Sequence, residues 1–194
     1  MKRIIGITGG IASGKTTVSQ YIKSLGYKVF DCDEIAHNVF ERANIQEKLK
    51  KAFNLNKRVE RSDISKLVFS DKDKKEVLNK IMKDAILKEM DNIIKHEDQT
   101  IFFDTPLLYD WSLEDMFDKI IFVYSSYDMQ LKRLQKRDNI DEAYAKEKIS
   151  SQMDMDIKLT HAKKRCDIII ENDSNEATLY KKVDVVLKEL AYDF

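Results

Sequence analysis

After Gly26 the sequence contains no glycine. All five (Gly6, Gly9, Gly10, Gly14 and Gly26) fall in its first 26 residues. Glycine is the residue most tolerant of left-handed backbone angles, so a chain that builds the rest of its fold without it has a specific use for it at the start. Proline is almost missing too, Pro106 being the only one. Two cysteines, Cys32 and Cys166, are too few for a disulfide framework or a metal-ligand set, which points to a reducing, cytoplasmic setting. No apolar run approaches the roughly 20 residues of a spanning helix, and the N-terminus lacks a signal peptide's apolar core and cleavage site. No membrane partner is expected. Net charge is absent as well: 34 Lys+Arg balance 34 Asp+Glu, so nothing draws the chain in bulk to nucleic acid or anionic lipid.

What is present is a chain of 194 residues, enough for one substantial core with small insertions. RIIGIT (Arg3 to Thr8) is a short β-branched run that stops at glycines, as a buried parallel strand does. A helix follows from Lys15, with Val18, Ile22 and Leu25 on one face, ending near Gly26. KVFD (28–31), IFFD (101–104), IIFVY (120–124) and IIIE (168–171) read as four more strands, separated by helical stretches. Strand–helix alternation of this kind implies an α/β fold around a five-stranded parallel sheet. Residues 36–97 break the alternation. They hold neither Gly nor Pro and read as consecutive helices, with Val77, Ile81, Ile86, Met90 and Ile94 at helical spacing. Residues 128–158 form a second charged helical stretch.

The glycines sit where a phosphate loop would be. Gly9 to Thr16 satisfies G-x-x-x-x-G-K-[ST] and joins the first strand to the first helix. Glycines let backbone N–H groups approach an anion, and the helix N-terminus adds positive potential. Gly10, Ile11, Ala12, Ser13, Gly14, Lys15, Thr16 and Thr17 are therefore candidate nucleotide-binding residues for ATP or GTP. Lys15 is expected to bridge the β- and γ-phosphates, and the Thr16 hydroxyl to ligate Mg²⁺. A chance glycine-rich turn is the bland alternative.

Three further clues surround that loop. FDCDEIAH (30–37) follows the second strand, and Asp31 and Asp33 in D-x-D spacing then stand beside the γ-phosphate. A carboxylate there accepts the proton of an attacking hydroxyl or helps hold Mg²⁺; alternatively Asp33 merely caps a helix starting at Glu34. Asp104 closes the strand IFFD, where a Walker-B carboxylate approaches Mg²⁺ through water, and Pro106 fixes the turn after it. Arg133 and Arg137 in QLKRLQKRD are four apart and share a helix face, either to neutralise a transferring phosphoryl group from a lid or as a solvated surface. Tyr109 and Trp111 either line the acceptor pocket or fill the core. His37 contacts substrate or packs between helices, while His96 and His161 read as surface residues. Cys32, between two aspartates, is a poor nucleophile because anionic neighbours raise a thiol's pKa.

TGGIASGKTT, DCDEIAH, DTPLLYD, QLKRLQKRD and Gln152 followed by Lys158 together resemble the dephospho-coenzyme A kinase family, from Ile4 to Asn172. The resemblance implies a P-loop NTPase fold with a helical substrate domain and a helical lid. It implies transfer of the ATP γ-phosphate to the ribose 3′-hydroxyl of dephospho-CoA, with Mg²⁺. Catalysis would rest on Lys15, Asp33, Arg133 and Arg137, and metal binding on Thr16 and Asp104. Substrate contacts would come from Asp31, Asp33, His37, Asp104, Leu107 and Leu108. The implied layout is core in 1–35, acceptor domain in 36–97, core in 98–130, lid in 131–156 and core again in 157–194. The implied partners are small molecules alone, ATP and dephospho-CoA, and the protein would be a monomer or weak homo-oligomer. Three departures from the family pattern stand out. Lys83-Asp84 occupies the place of a frequent His-Pro, Lys148 that of an arginine before Ile149 and Gln152, and KLTHAKKRCD is a longer link to the last strand. Two alternatives remain: another small kinase of nucleotide or shikimate type, and a non-catalytic nucleotide-binding module. No N-K-x-D guanine signature supports a GTPase switch.

Overall fold

The computed structural model describes residues 2–69, 71–165 and 167–192, so Cys166 lies outside the described residues. Five strands form one sheet: β1 (Ile4–Gly9), β2 (Lys28–Asp31), β3 (Ile101–Asp104), β4 (Lys119–Tyr124) and β5 (Ile168–Glu171). Their order is β2-β3-β1-β4-β5, and β1 pairs in parallel with both β3 and β4, as β4 does with β5. The strand in the middle is the one that feeds the glycine-rich loop. Ile7 lies opposite Asp104 in the register, which puts the carboxylate at the end of β3 one strand from the loop.

The strands are short runs of Ile, Phe and Val because both faces of the sheet are covered. On one face, α1 (Lys15–Ser24) and α9 (Glu176–Tyr192) pack Val18, Ile22, Leu179, Val183 and Leu187 against Ile5, Ile7, Ile121 and Val123. Val18 and Ile22 are one turn apart and point the same way. Leu25, expected to continue that stripe, is 47% exposed instead. It is the C-cap residue, where the helical repeat has already ended. On the other face Phe103 meets Phe117 edge-on, and Tyr109 meets Phe122 in the same way.

The chain divides into two compact units, Met1–Phe30 with Asp98–Phe194, and Asp31–Glu97. The second unit is helical: α2 (Cys32–Phe40), α3 (Ala43–Phe53), α4 (Arg61–Phe69) and α5 (Lys72–His96). Buried Gln46 ties it together, donating to Phe40 O at 2.9 Å and accepting from Val59 N–H at 2.9 Å. Of the apolar positions spaced along α5, Ile86 and Met90 are buried, but Val77 is 42% exposed. Helical spacing says which side chains share a face, not how far a neighbour extends along it. The first unit also contains α6 (Tyr127–Asp138), α7 (Glu142–Ser150) and α8 (Met155–Arg165). With no glycine available, the left-handed caps ending α3 and α6 are asparagines, Asn54 (φ 54°) and Asn139 (φ 50°). Asparagine tolerates that region better than other side chains do.

Candidate active site

Gly9 to Thr16 turn sharply between β1 and α1, and Gly14 is the N-cap with φ 95°. A side chain there is excluded twice, since a Cβ would also lie 2.1 Å from Asn172 Nδ2. That nitrogen donates to Ser13 O at 2.8 Å and so fixes the loop from the far side of the sheet order, just beyond β5. At the crest, a Cβ on Gly10 would meet Gln130 Nε2 at 2.7 Å and Met155 Sδ at 2.8 Å. Ile11 N–H donates to Gln152 Oε1 at 3.0 Å. Ser13 is fully buried and its hydroxyl has no hydrogen-bond partner among the described residues. Thr16 is exposed and Thr17 half-buried.

Lys15, at the first turn of α1, places its ammonium on Asp104 Oδ1. Ser19, one turn further along, donates to Asp104 Oδ2 at 2.7 Å. Asp104 is almost fully buried, and both its oxygens are engaged. A buried carboxylate without such partners would be strongly destabilising. The pair therefore stores a cation beside the loop, 14% exposed, within reach of an incoming phosphate. The spacing of Lys15 and Ser19 is readable from the sequence as one helical turn. Asn172 had no local signal, because its role depends on where the end of β5 meets the loop.

The arginines of α6 differ from each other. Arg133 donates to Ser125 Oγ at 3.1 Å and to Asn172 Oδ1 at 3.4 Å, so it supports the same asparagine that holds the loop. Arg137 lies one turn away, exposed, and grips Asp138 with Nε at 2.7 Å and Nη2 at 3.3 Å. Lys148 Nζ donates to the same carboxylate at 2.9 Å. Arg137 and Lys148 together hold the Asp138 carboxyl well below the usual carboxylate range. Lys148, where the family pattern has an arginine, is thus occupied by Asp138.

After β3 the candidates separate. Leu107 is 40% exposed, whereas Leu108 has no accessible surface and packs over Gly6 as a core residue. A side chain with no exposed face offers nothing for a substrate to touch, so Leu108 is corrected to a structural position. Tyr109 is also core; burial, then its bond to Asp167, pushes its phenol far up, and the hydroxyl donates to Asp167 Oδ2 at 2.8 Å. Asp110 pairs at 3.0 Å with Lys158 Nζ, whose side chain is 2% exposed. Lys158 is thereby a buried cation joining α8 to the loop after β3. His96 and His161 are exposed, as read from the sequence, and Cys32 is buried.

In the helical unit, the cap of α2 is Asp31 rather than Asp33. Asp31 Oδ1 accepts from Asp33 N–H at 2.7 Å and from Glu34 N–H at 3.4 Å. The helix starts at Cys32, two residues earlier than expected, because the first aspartate of the D-x-D is the one in extended conformation. Asp33 is left exposed in the first turn. His37, also exposed, is four residues on and so shares its face.

A cavity of about 540 Å³ opens in front of the loop, bounded by Gly10, Ile11, Tyr124, Tyr127, Gln152 and Asp156 among others. Among the described residues no group of three or more His, Cys, Asp or Glu is placed to hold a metal ion. Any Mg²⁺ here would take most of its ligands from phosphate oxygens and water, a usual arrangement for this ion, and the exposed Thr16 hydroxyl fits that donor set. No helix among the described residues is long and apolar enough to cross a membrane.

The features assembled around Lys15 are those of a nucleotide-dependent phosphotransferase, and comparison with known proteins narrows them. The model of the dephospho-CoA kinase family matches residues 3–178. A dephospho-CoA kinase of Fusobacterium nucleatum is 39% identical over 189 residues, covering 93% of this chain and 95% of its own. Among solved structures, TT1252 from Thermus thermophilus superposes with a TM-score of 0.81 at 28% identity, covering 97% of this chain and 98% of its own. Dephospho-CoA kinase from Campylobacter jejuni gives a TM-score of 0.66 at 26% identity, with 97% of each chain covered. With the match running through both units and the phosphate loop alike, the chain belongs to the dephospho-CoA kinase family.

Proposed function

We propose that this protein transfers the γ-phosphoryl group of ATP to the ribose 3′-hydroxyl of dephospho-CoA, giving coenzyme A. The observation that carries the reading is the Lys15–Asp104–Ser19 cluster beneath the loop: a cation held in readiness where a triphosphate's outer phosphates arrive. When those phosphates enter, Lys15 exchanges one oxygen anion for another, and Asp104 keeps the Ser19 hydroxyl as its partner. Thr16 would hold Mg²⁺ directly and Asp104 through water, and the ion would supply neutralisation of phosphate charge.

The protein's own contribution is positioning and electrostatics, because phosphoryl transfer asks for little covalent chemistry. Gly10 to Gly14 supply backbone donors. Asp33, exposed and at the start of a helix, is assigned as the group that takes the proton from the 3′-hydroxyl. Asp31 sets the backbone that presents it, and His37 and Leu107 are assigned to the acceptor side. Arg137 is assigned to charge neutralisation on closure of residues 131–156, exchanging Asp138 for the transferring phosphoryl group. Arg133 is assigned a supporting role through Asn172. Residues 36–97 are assigned to reception of dephospho-CoA.

A coupled ADP-release assay tests the reading, with dephospho-CoA, AMP, adenosine and shikimate offered as acceptors. Mg²⁺-dependent turnover with dephospho-CoA, at least about tenfold above the others in kcat/KM, is expected. Turnover with AMP or shikimate instead would assign the protein to a nucleotide or shikimate type of kinase. ATP binding with no turnover on any acceptor would point to a regulatory module.

A further inference from the structure

The cavity in front of the phosphate loop is lined unlike a phosphate site. Its floor is the loop crest, Gly10 and Ile11; Tyr124 and Tyr127 come from the β4–α6 junction, and Gln152 and Asp156 from the α7–α8 junction. Among the described residues no lysine or arginine lines it, whereas Asp154 and Asp156 do. A polyphosphate entering here would meet carboxylates and no cation, and like charges at close range repel. A neutral base meets the reverse. It finds tyrosine rings and apolar Ile11 and Met155 for its faces, with carboxylates to accept from an exocyclic amine.

Gln152 gives the cavity a direction. A backbone N–H can only donate, so the bond from Ile11 N–H fixes the oxygen end of the Gln152 amide against the loop. The two Nε2 donors are thereby turned away from that amide, in a residue that lines the cavity. They form a neutral donor pair suited to a ring nitrogen and unable to favour an anion as a cation would.

Geometry then separates the two adenines of the reaction. The accepting 3′-hydroxyl is on the ribose that carries the acceptor's adenine, so that base must lie within one nucleoside of the transferring phosphorus. ATP's own adenine is separated from that phosphorus by its ribose and two further phosphates. A cavity floored by the loop crest meets the first condition. We propose that it is the subsite for the adenine of the acceptor, and that Gln152 is a specificity-determining donor within it. The inference rests on the dephospho-CoA kinase reading.

Steady-state kinetics on the full chain test it, comparing wild type with Gln152→Met while dephospho-CoA and ATP are varied separately. An acceptor with hypoxanthine in place of adenine is assayed alongside. In Gln152→Met the KM for dephospho-CoA is expected to rise about tenfold or more, several times further than the KM for ATP, which rises too because Ile11 N–H loses its acceptor. Wild type is expected to use the hypoxanthine acceptor about tenfold less well in kcat/KM, with the gap narrowed in the variant. A rise in the KM for ATP alone would assign the cavity to the nucleotide's base and overturn the proposal, as would two unchanged KM values. If the variant does not fold, the wild type decides: equal use of the two acceptors overturns the idea. Absence of ADP release from wild type with dephospho-CoA is a different result and counts against the kinase reading itself.

Discussion

The phosphate loop and the Asp31–His37 segment are held in place by different means. The loop is tied from many directions by partners far away in sequence: Asn172 on Ser13 O, Gln152 on Ile11 N–H, and Asp104 with Ser19 around Lys15. Most of these groups are buried or half-buried, and their loss leaves polar atoms without partners inside the protein. The acidic segment carries a cap from within itself. Asp31 caps the helix that presents Asp33, and Asp33 and His37 stay exposed. A loop that must wrap phosphate with its backbone needs tertiary scaffolding, since amide donors cannot be aimed by side-chain choice. A carboxylate meant to meet a hydroxyl needs only a well-started helix. The difference predicts that mutations in the loop damage folding, binding and chemistry together, while mutations in the acidic segment damage chemistry alone.

The largest expected effect tests the first half. Lys15→Ala removes both the assigned phosphate ligand and the cation that neutralises buried Asp104. Turnover is expected to fall by about 10³-fold, of the order seen when a fixed transition-state donor is lost, with weaker ATP binding and lower thermal stability. Steady-state kinetics, nucleotide titration and thermal unfolding measure the three. Unchanged stability would break the comparison, because the loop would then not depend on its buried partners.

Asp33→Asn tests the second half and is next in size. Turnover is expected to fall about 10²-fold, with the dissociation constant for ATP and the thermal midpoint close to those of wild type. Near-normal kcat would remove Asp33 from the base role. A large loss of stability would place the segment in the same class as the loop.

The smallest effect concerns Asp138, held by exposed Arg137 and by Lys148. Because its folded pKa is lowered from an unfolded value near 3.9, its contribution to stability is present above about pH 4 and lost as pH falls through the lower folded value. Exposed ion pairs contribute little, so only a slight steepening of the acid unfolding profile is expected. Asp138→Asn should flatten it, and equal profiles for the two proteins would show that the cluster adds nothing to stability.

Local chemistry was legible in the sequence wherever a residue's role is set by its neighbours along the chain. Four of the five strands end at a glycine or an acidic residue, β4 at Tyr124, and the phosphate loop followed from its own spacing. The D-x-D was visible, with a capping Asp33 as the alternative to a functional one, yet the cap is Asp31: either aspartate can cap, and only the backbone conformation of Asp31 decides which one does. Leu107 and Leu108 looked equivalent as neighbours, yet one is exposed and the other is core, because the turn after β3 points them in different directions. Arg133 and Arg137 looked equivalent on one helix face. Their partners, Asn172 and Asp138, come from different places in the fold.

The sequence by itself determined the glycine-rich loop to which the triphosphate is assigned, because loop geometry, helix start and lysine are all encoded within eight residues and act over one turn of backbone. Only the tertiary structure decided what stands around that loop. Asn172, Asp104, Gln130, Gln152 and Met155 reach it from β3, α6, α8 and the segments after β5 and α7, where parallel strand order and helix packing bring them together. Contacts of that kind leave no periodic trace along the chain, since each is a meeting of residues whose separation in sequence has no bearing on their separation in space.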